Sequence, residues 1–125
     1  MKKPCVLISG PTAFRDEELV GKLKKNAIVL RNGRNHGVEA IAAKRKIDLL
    51  LLEFPHEEPA EIEIIKNLKN RFPALEIILI DGDRELMAKA FAYGVRDVFR
   101  KPYKGDLIVE RVHALLIRRL EANSP

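Results

Sequence analysis

The sequence predicts an α/β fold, one doubly wound domain in which five parallel strands carry helices on both faces. Three observations lead there. Short apolar runs alternate with amphipathic stretches five times along the 125 residues, the order expected when each strand is followed by a crossover helix. The middle run, Ile47 to Leu52, is apolar throughout except for Asp48, as a strand covered on both faces reads, because polar alternation needs one face in water. The links between the runs are short, which suits right-handed crossovers between strands of one sheet. A length of 125 residues accommodates one hydrophobic core and is tight for two, so residues 1–125 are expected to form a single domain with its core within 5–119.

Cys5 to Ile8 is the first strand, bounded by Gly10 and Pro11. Thr12 is placed to cap the following helix, where Asp16, Glu17 and Glu18 supply the acids that a helix N-terminus favours and Leu19, Val20 and Leu23 the apolar stripe. Ala27 to Leu30 is the second strand. It closes on Asn32-Gly33, a dipeptide typical of hairpins, yet a helix follows: Val38, Ile41 and Ala42 recur at helical spacing, and Lys44 to Lys46 end the segment where the dipole favours cations. Ile47 to Leu52 takes the central place. Pro59 opens the third helix at a position that needs no amide donor, with Glu61 and Glu63 in its first turns, Ile64, Ile65, Leu68 and Phe72 on its buried side, and Pro73 at its end. Glu76 to Ile80 is the fourth strand, Asp81-Gly82-Asp83 a turn, and Leu86 to Tyr93 a short helix closed by Gly94. Asp97 to Phe99 is the fifth strand, and the last helix runs from Asp106 to about Glu121 with Ile108, Val112, Leu115 and Leu116 on its stripe. Five strands suit the flavodoxin-like order 2-1-3-4-5, in which ligands bind beyond the carboxyl ends of the strands at the switch point between the first and third. The residues this geometry gathers are Ser9, Gly10, Glu53, Ile80, Asp81 and Lys101.

A composition of 46% hydrophobic and 33% charged residues is neither disordered nor fibrous. No apolar run approaches the length that spans a bilayer, and Met1 to Cys5 leads directly into a strand without the apolar region of a signal peptide. The expectation is a soluble, cytoplasmic domain with no membrane contact. Cys5, the one cysteine, cannot form an intramolecular disulfide, and its apolar setting marks a buried structural thiol. The formal charge of +5 concentrates in Lys22, Lys24, Lys25, Arg31, Arg34 and Lys44 to Lys46. Such a stripe attracts nucleic acid or an acidic protein, but no recognition-helix pattern accompanies it and aromatic residues are too few for a stacking platform. A solvated face is the expectation, and nucleic acid is not an expected partner. His36, His56 and His113 have no metal-ligand spacing, Gly10-Pro11-Thr12 lacks the lysine and glycines of a phosphate loop, and no nucleophile–base pair is visible. No catalytic residue, metal or cofactor is therefore assigned, and the chain is not expected to be an enzyme.

The segments Ile47-Asp-Leu-Leu-Leu-Leu-Glu-Phe-Pro55 and Gly94-Val-Arg-Asp-Val-Phe-Arg-Lys-Pro102 together resemble the third and fifth strands of response-regulator receiver domains. From Cys5 to Arg119 the spacing is similar to that of these chemotaxis-regulator-like domains of two-component signalling. The family ends its first strand in an acidic pair that holds magnesium, its third in the Asp that accepts a phosphoryl group, its fourth in Thr or Ser and its fifth in Lys-Pro. Here Ser9-Gly10 stands for the acidic pair, Glu53 for the acceptor, Ile80 or Asp81 for the hydroxyl and Lys101 for the lysine, while Val98 replaces an aromatic switch. The resemblance also implies a cis peptide between Lys101 and Pro102.

These departures bear on the chemistry. A hard divalent cation needs oxygen ligands that bring negative charge, and Ser9-Gly10 brings none. Glu53 is one methylene longer than Asp, so its carboxylate should overshoot the in-line geometry by about 1 Å, enough to harm a reaction that depends on position and metal charge. The expectation is a degenerate pseudo-receiver that acts as a protein-interaction module in signal transduction without phosphorylation. The alternative keeps Glu53 as an atypical phosphoryl acceptor in a relay. Glu53 itself reads either as a permanent mimic of a modified acceptor or as a relic of drift, and Lys101 as its ion-pair partner, or that of Asp81. Asp81 and Asp83 with Glu53 offer a relocated cation site, although acids in a glycine-containing loop are more often turn and cap residues. If the scaffold is otherwise intact, changing Ser9, Gly10 and Glu53 together to Asp should restore cation binding. The family's usual contact surface, the fourth helix, fifth strand and fifth helix, here carries Met87, Phe91, Tyr93, Arg96, Val98, Arg100, Tyr103 and Arg111. It implies a protein partner or self-association, of which a homodimer is the simplest form.

Overall fold

Side chains alternate across a strand, and in the central strand β3 (Leu49–Glu53) this alternation divides the core into two layers. The computed structural model describes residues 3–54, 62–81 and 84–122. Around β3 lie β1 (Cys5–Ser9), β2 (Ile28–Asn32), β4 (Glu76–Ile80) and β5 (Asp97–Phe99), all parallel, in the order β2-β1-β3-β4-β5. The helices are α1 (Glu17–Leu23), α2 (Val38–Lys44), α3 (Ile62–Arg71), α4 (Arg84–Ala92) and α5 (Gly105–Ala122), with 3-10 turns at Ala13–Arg15 and Asn35–Gly37. This is the flavodoxin-like α/β architecture that the pattern predicts. Among the described residues no helix is long and apolar enough to cross a membrane.

Leu49 and Leu51 of β3 join Val6, Ile8, Ile78 and Ile80 beneath α1 and α5. Leu50, Leu52 and Phe54 join Leu7, Ile77 and Leu79 beneath α2, α3 and α4. Every residue of β1 and β3 is buried, which is why those two strands carry almost no polar alternation. The edge strand β2 is more exposed, and its ladder extends to Arg31↔Ile8 and Asn32↔Ser9, two residues beyond the expected end at Leu30. Solvent on that side lets polar side chains continue the strand.

Other boundaries move for local reasons. β3 starts at Leu49, one residue after Asp48, whose N–H still donates to Cys5 O at 2.9 Å while its carboxylate accepts Cys5 N–H at 2.8 Å. The strand also takes in Glu53, which pairs with Ile80 of β4. Asp16, not Thr12, caps α1: its Oδ1 accepts Leu19 N–H at 3.0 Å, and Thr12 makes no capping bond with its own side chain. In α3 only Ile65 and Leu68 are fully buried, with Ile64 and Phe72 packed at the margin; Pro59 and Glu61 lie outside the described residues. α4 begins at Arg84 and ends at Ala92, so Tyr93 sits just beyond it, and Gly94 takes a φ of 101° that favours glycine.

Candidate functional site

Period two places Glu53 on the face of Leu49 and Leu51, so its side chain turns toward the loop between β1 and α1. It is fully buried. Its Oε1 accepts two backbone N–H groups, Thr12 at 2.7 Å and Ala13 at 2.8 Å. Its Oε2 accepts the Thr12 hydroxyl and is paired with Lys101 Nζ. Lys101 Nζ also donates to Thr12 Oγ1 at 2.7 Å, closing a three-membered circuit of ammonium, hydroxyl and carboxylate. A carboxylate offers about four lone-pair positions on its two oxygens, and these four donors take them. Burial pushes the Glu53 pKa up, but Lys101, the Thr12 hydroxyl and the amides of Ala13 and Thr12 outweigh it and hold the group below the ordinary glutamate range. The carboxylate is an anion that caps the 3-10 turn at Ala13–Arg15 from another strand, where that turn lacks a cap of its own.

Gly10 makes this arrangement possible. At φ 142°, a region L side chains rarely adopt, its backbone passes so close to β3 that an added Cβ would meet Glu53 Cβ at 2.4 Å, Glu53 Oε1 at 2.7 Å and Glu53 O at 2.9 Å. The space that a side chain at this position would need is filled by Glu53. Ser9 is also engaged: its hydroxyl donates to Asn35 Oδ1 at 2.7 Å and accepts from Asn32 Nδ2 at 3.2 Å, while Asn35 Nδ2 donates to Glu53 O at 2.7 Å. Asn35 thus ties the ends of β1 and β3 together. Ile80 packs on the α1–α5 side, across the ladder from Glu53. Asp81, the residue after β4, is buried with φ 65°, its N–H donating to Phe99 O at 2.7 Å. The Lys101-Pro102 peptide is cis, as the resemblance implies.

All six expected pocket residues therefore gather at the carboxyl ends of the strands, and the ion pair of Lys101 is made with Glu53. Sequence reasoning missed Thr12, Asn32 and Asn35. Thr12 supplies the hydroxyl that neither Ile80 nor Asp81 offers, from the β1–α1 loop rather than from β4. Its place immediately after the switch-point strand was the available signal. The donor set does not fit magnesium: Ser9 and Gly10 bring no carboxylate, and the oxygens of Glu53 already hold protein donors. Among the described residues no three of His, Cys, Asp and Glu gather as ligands, and Asp83, needed for the relocated cation site, lies outside those residues.

The expected contact face is only partly surface. Met87 and Val98 pack against the α2–α4 layer, and Tyr103 against the α1–α5 layer, where its hydroxyl donates to Asp16 Oδ2. Burial and that bond push the Tyr103 pKa well above its ordinary value. Arg96 pairs with Glu76 at 3.2 Å and Arg111 with Asp97 at 3.1 Å. Phe91, 50% exposed, Tyr93, 40% exposed, and Arg100 remain outward, and Leu107, 49% exposed, adds an apolar residue that the sequence did not single out.

No protein-family model matches this sequence, and no curated protein matches it either. Solved structures do match. A CheY-like response regulator receiver domain protein from Methanospirillum hungatei JF-1 superposes with a TM-score of 0.84 at 13% identity, covering 98% of this chain and 100% of that one. A two-component response regulator from Clostridium difficile gives 0.81 at 20% identity, covering 98% and 100%. An orphan response regulator of H. pylori gives 0.78 at 19% identity, covering 90% and 96%. With the strand order and the parallel pairing of β1 with β3, these likenesses show that the chain has the fold of response-regulator receiver domains.

Proposed function

We propose that the protein is a receiver-like domain of signal transduction that works without phosphorylation, as a pseudo-receiver that docks onto a protein partner or a second copy of itself. One observation carries this reading: the Glu53 carboxylate already binds four donors of its own chain. An oxygen must present a free lone pair to attack phosphorus, and here a donor would first have to leave. Positioning and metal charge supply nearly all of the catalysis in phosphoryl transfer, and neither is provided by Ser9-Gly10. Lys101 bound to a permanent anion supports a domain fixed in one state, with the outward Phe91, Tyr93 and Leu107 as its apolar contact residues and the exposed Arg100 as a charged one.

The alternative, phosphoryl transfer to Glu53, draws on the Lys101 ammonium and the Thr12 hydroxyl at the carboxylate, and on a neighbour solved as a BeF3-activated DrrB receiver domain, TM-score 0.76 at 18% identity. Incubation with a small phosphodonor and magnesium, read by intact mass, separates the two. The expected result is an unchanged mass at all times. A stable phosphate located on Glu53 would establish the alternative.

A further inference from the structure

At the end of the sheet opposite Glu53, where the strands begin, a concavity of about 640 Å³ opens between the start of β1, the link from α2 to β3 and the end of α5. Its wall carries five cations, Lys3, Lys44, Arg45, Lys46 and Arg119, against one carboxylate, Asp48. That carboxylate is already engaged by Cys5 N–H at 2.8 Å and by Arg119 Nε at 3.4 Å. Arg119 is fixed further, its Nη1 donating to Asp48 O at 3.2 Å and to Ala74 O. Among the described residues Lys3, Lys44, Arg45 and Lys46 form no ion pair, as is also true of Lys24, Lys25, Arg34 and Arg100 elsewhere, but here four such cations line one concavity. Lys44 lies in the last turn of α2, where it complements the helix dipole. Arg45 is the residue after that helix, and Lys3 and Lys46 belong to no helix, so the excess charge is larger than one helix end uses.

The lining also has an apolar part. Pro4, Leu116 and Ile28, the last 46% exposed, form it. A second hollow of about 220 Å³ shares Arg45, Lys46 and Arg119 and adds Phe72 and Pro73, so the cations stand between two apolar recesses. The larger space falls within the roughly 300–1,000 Å³ of small-molecule sites. Its lining offers no row of aromatic residues on which a polymer's bases could stack.

We propose that this basin binds a small polyphosphorylated ligand with an apolar ring, a nucleoside di- or triphosphate. The unpaired Lys and Arg groups take the phosphates through charge-assisted hydrogen bonds, and the ring rests on Ile28, Pro4 and Leu116. The site is independent of the Glu53 pocket, so its fate does not depend on the phosphodonor experiment.

Isothermal titration of the full chain with ATP, without divalent cations, tests it; inorganic pyrophosphate, adenosine and a short DNA duplex form the other arms. The expected result is saturable one-site binding of ATP, weaker binding of pyrophosphate and the weakest of adenosine. Arg45→Glu with Lys46→Glu lowers ATP affinity by about tenfold or more, as does Lys3→Glu, whereas Lys24→Glu with Lys25→Glu, outside the basin, changes it by less than about twofold. Circular dichroism identifies any variant that fails to fold, and the other basin variant then decides. Absence of saturable ATP binding overturns the proposal. So do equal losses in the Lys24/Lys25 variant, which would make the effect one of net charge, and displacement of ATP by a lower concentration of duplex, which would make the surface a nucleic-acid site.

Discussion

A carboxylate with no solvent exposure destabilises a fold unless its charge is met inside the protein. Glu53 is met by two amides, a hydroxyl and an ammonium, so its removal leaves all four without their acceptor. Glu53→Gln, which keeps the volume and loses the charge, should lower stability by about 2–3 kcal/mol in urea denaturation at neutral pH. The group's pKa is held below the ordinary glutamate value, so its contribution is full above that value and is lost as pH falls through the lower folded pKa. The difference between wild type and Glu53→Gln should accordingly shrink as pH falls below the ordinary glutamate range, and a difference that stays constant down into acid would contradict the assigned network. Gly10 is the second residue on which the pocket turns. Gly10→Ala meets both a φ of 142° and a Cβ contact of 2.4 Å, and should cost about 2–4 kcal/mol. The combined change of Ser9, Gly10 and Glu53 to Asp should therefore fail to restore cation binding, because a side chain at position 10 meets the Cβ and backbone O of residue 53; saturable magnesium binding by a variant that unfolds like wild type would refute this.

Elements here are held as much by partners elsewhere in the chain as by their own sequence. α1 is only seven residues long, too short to persist alone, and it relies on the Asp16 cap and on packing against α5. Asp16 joins the two, since Oδ1 accepts Leu19 N–H and Oδ2 the Tyr103 hydroxyl from the approach to α5. Asp16→Ala should cost about 0.5–2 kcal/mol, the usual range for a lost N-cap, and Asp16→Asn, which retains an oxygen for Leu19, should cost less; the comparison is a pair of thermal or urea melts. At the opposite end Asp48 does the corresponding work, binding Cys5 at the start of β1 and Arg119 near the end of α5. Strand and helix interiors were legible because burial on one or both faces writes a period into the chain, as in Leu49 to Leu52 and in Leu19, Val20 and Leu23. Caps and ends were less so: both Thr12 and Asp16 suit an N-cap, and only the position of Glu53, forty-one residues beyond Thr12, releases Thr12 from that role.

For the whole molecule, the two ends of the strands differ in electrostatics, with a neutralised anion where the strands end and a positive basin where they begin. The proposed docking function belongs to neither end but to the exposed apolar residues on α4, just after it and at the start of α5. Phe91→Glu with Tyr93→Glu should abolish self-association or partner capture in sedimentation experiments while changing stability by less than about 1 kcal/mol, because surface substitutions rarely do more; an unchanged sedimentation profile of a self-associating wild type would move the interface elsewhere. The order of strands, the helices on both faces and the gathering of Ser9, Gly10, Glu53, Ile80, Asp81 and Lys101 at one end followed from the sequence alone, since hydrophobic period and short links leave few other topologies. What only the tertiary structure decided is which groups those residues meet. That Thr12 replaces the missing hydroxyl, that Gly10 yields its side-chain space to Glu53, and that Tyr103 and Met87 turn inward are facts of contact between segments far apart in the chain, and such contacts leave no period in a sequence to be read.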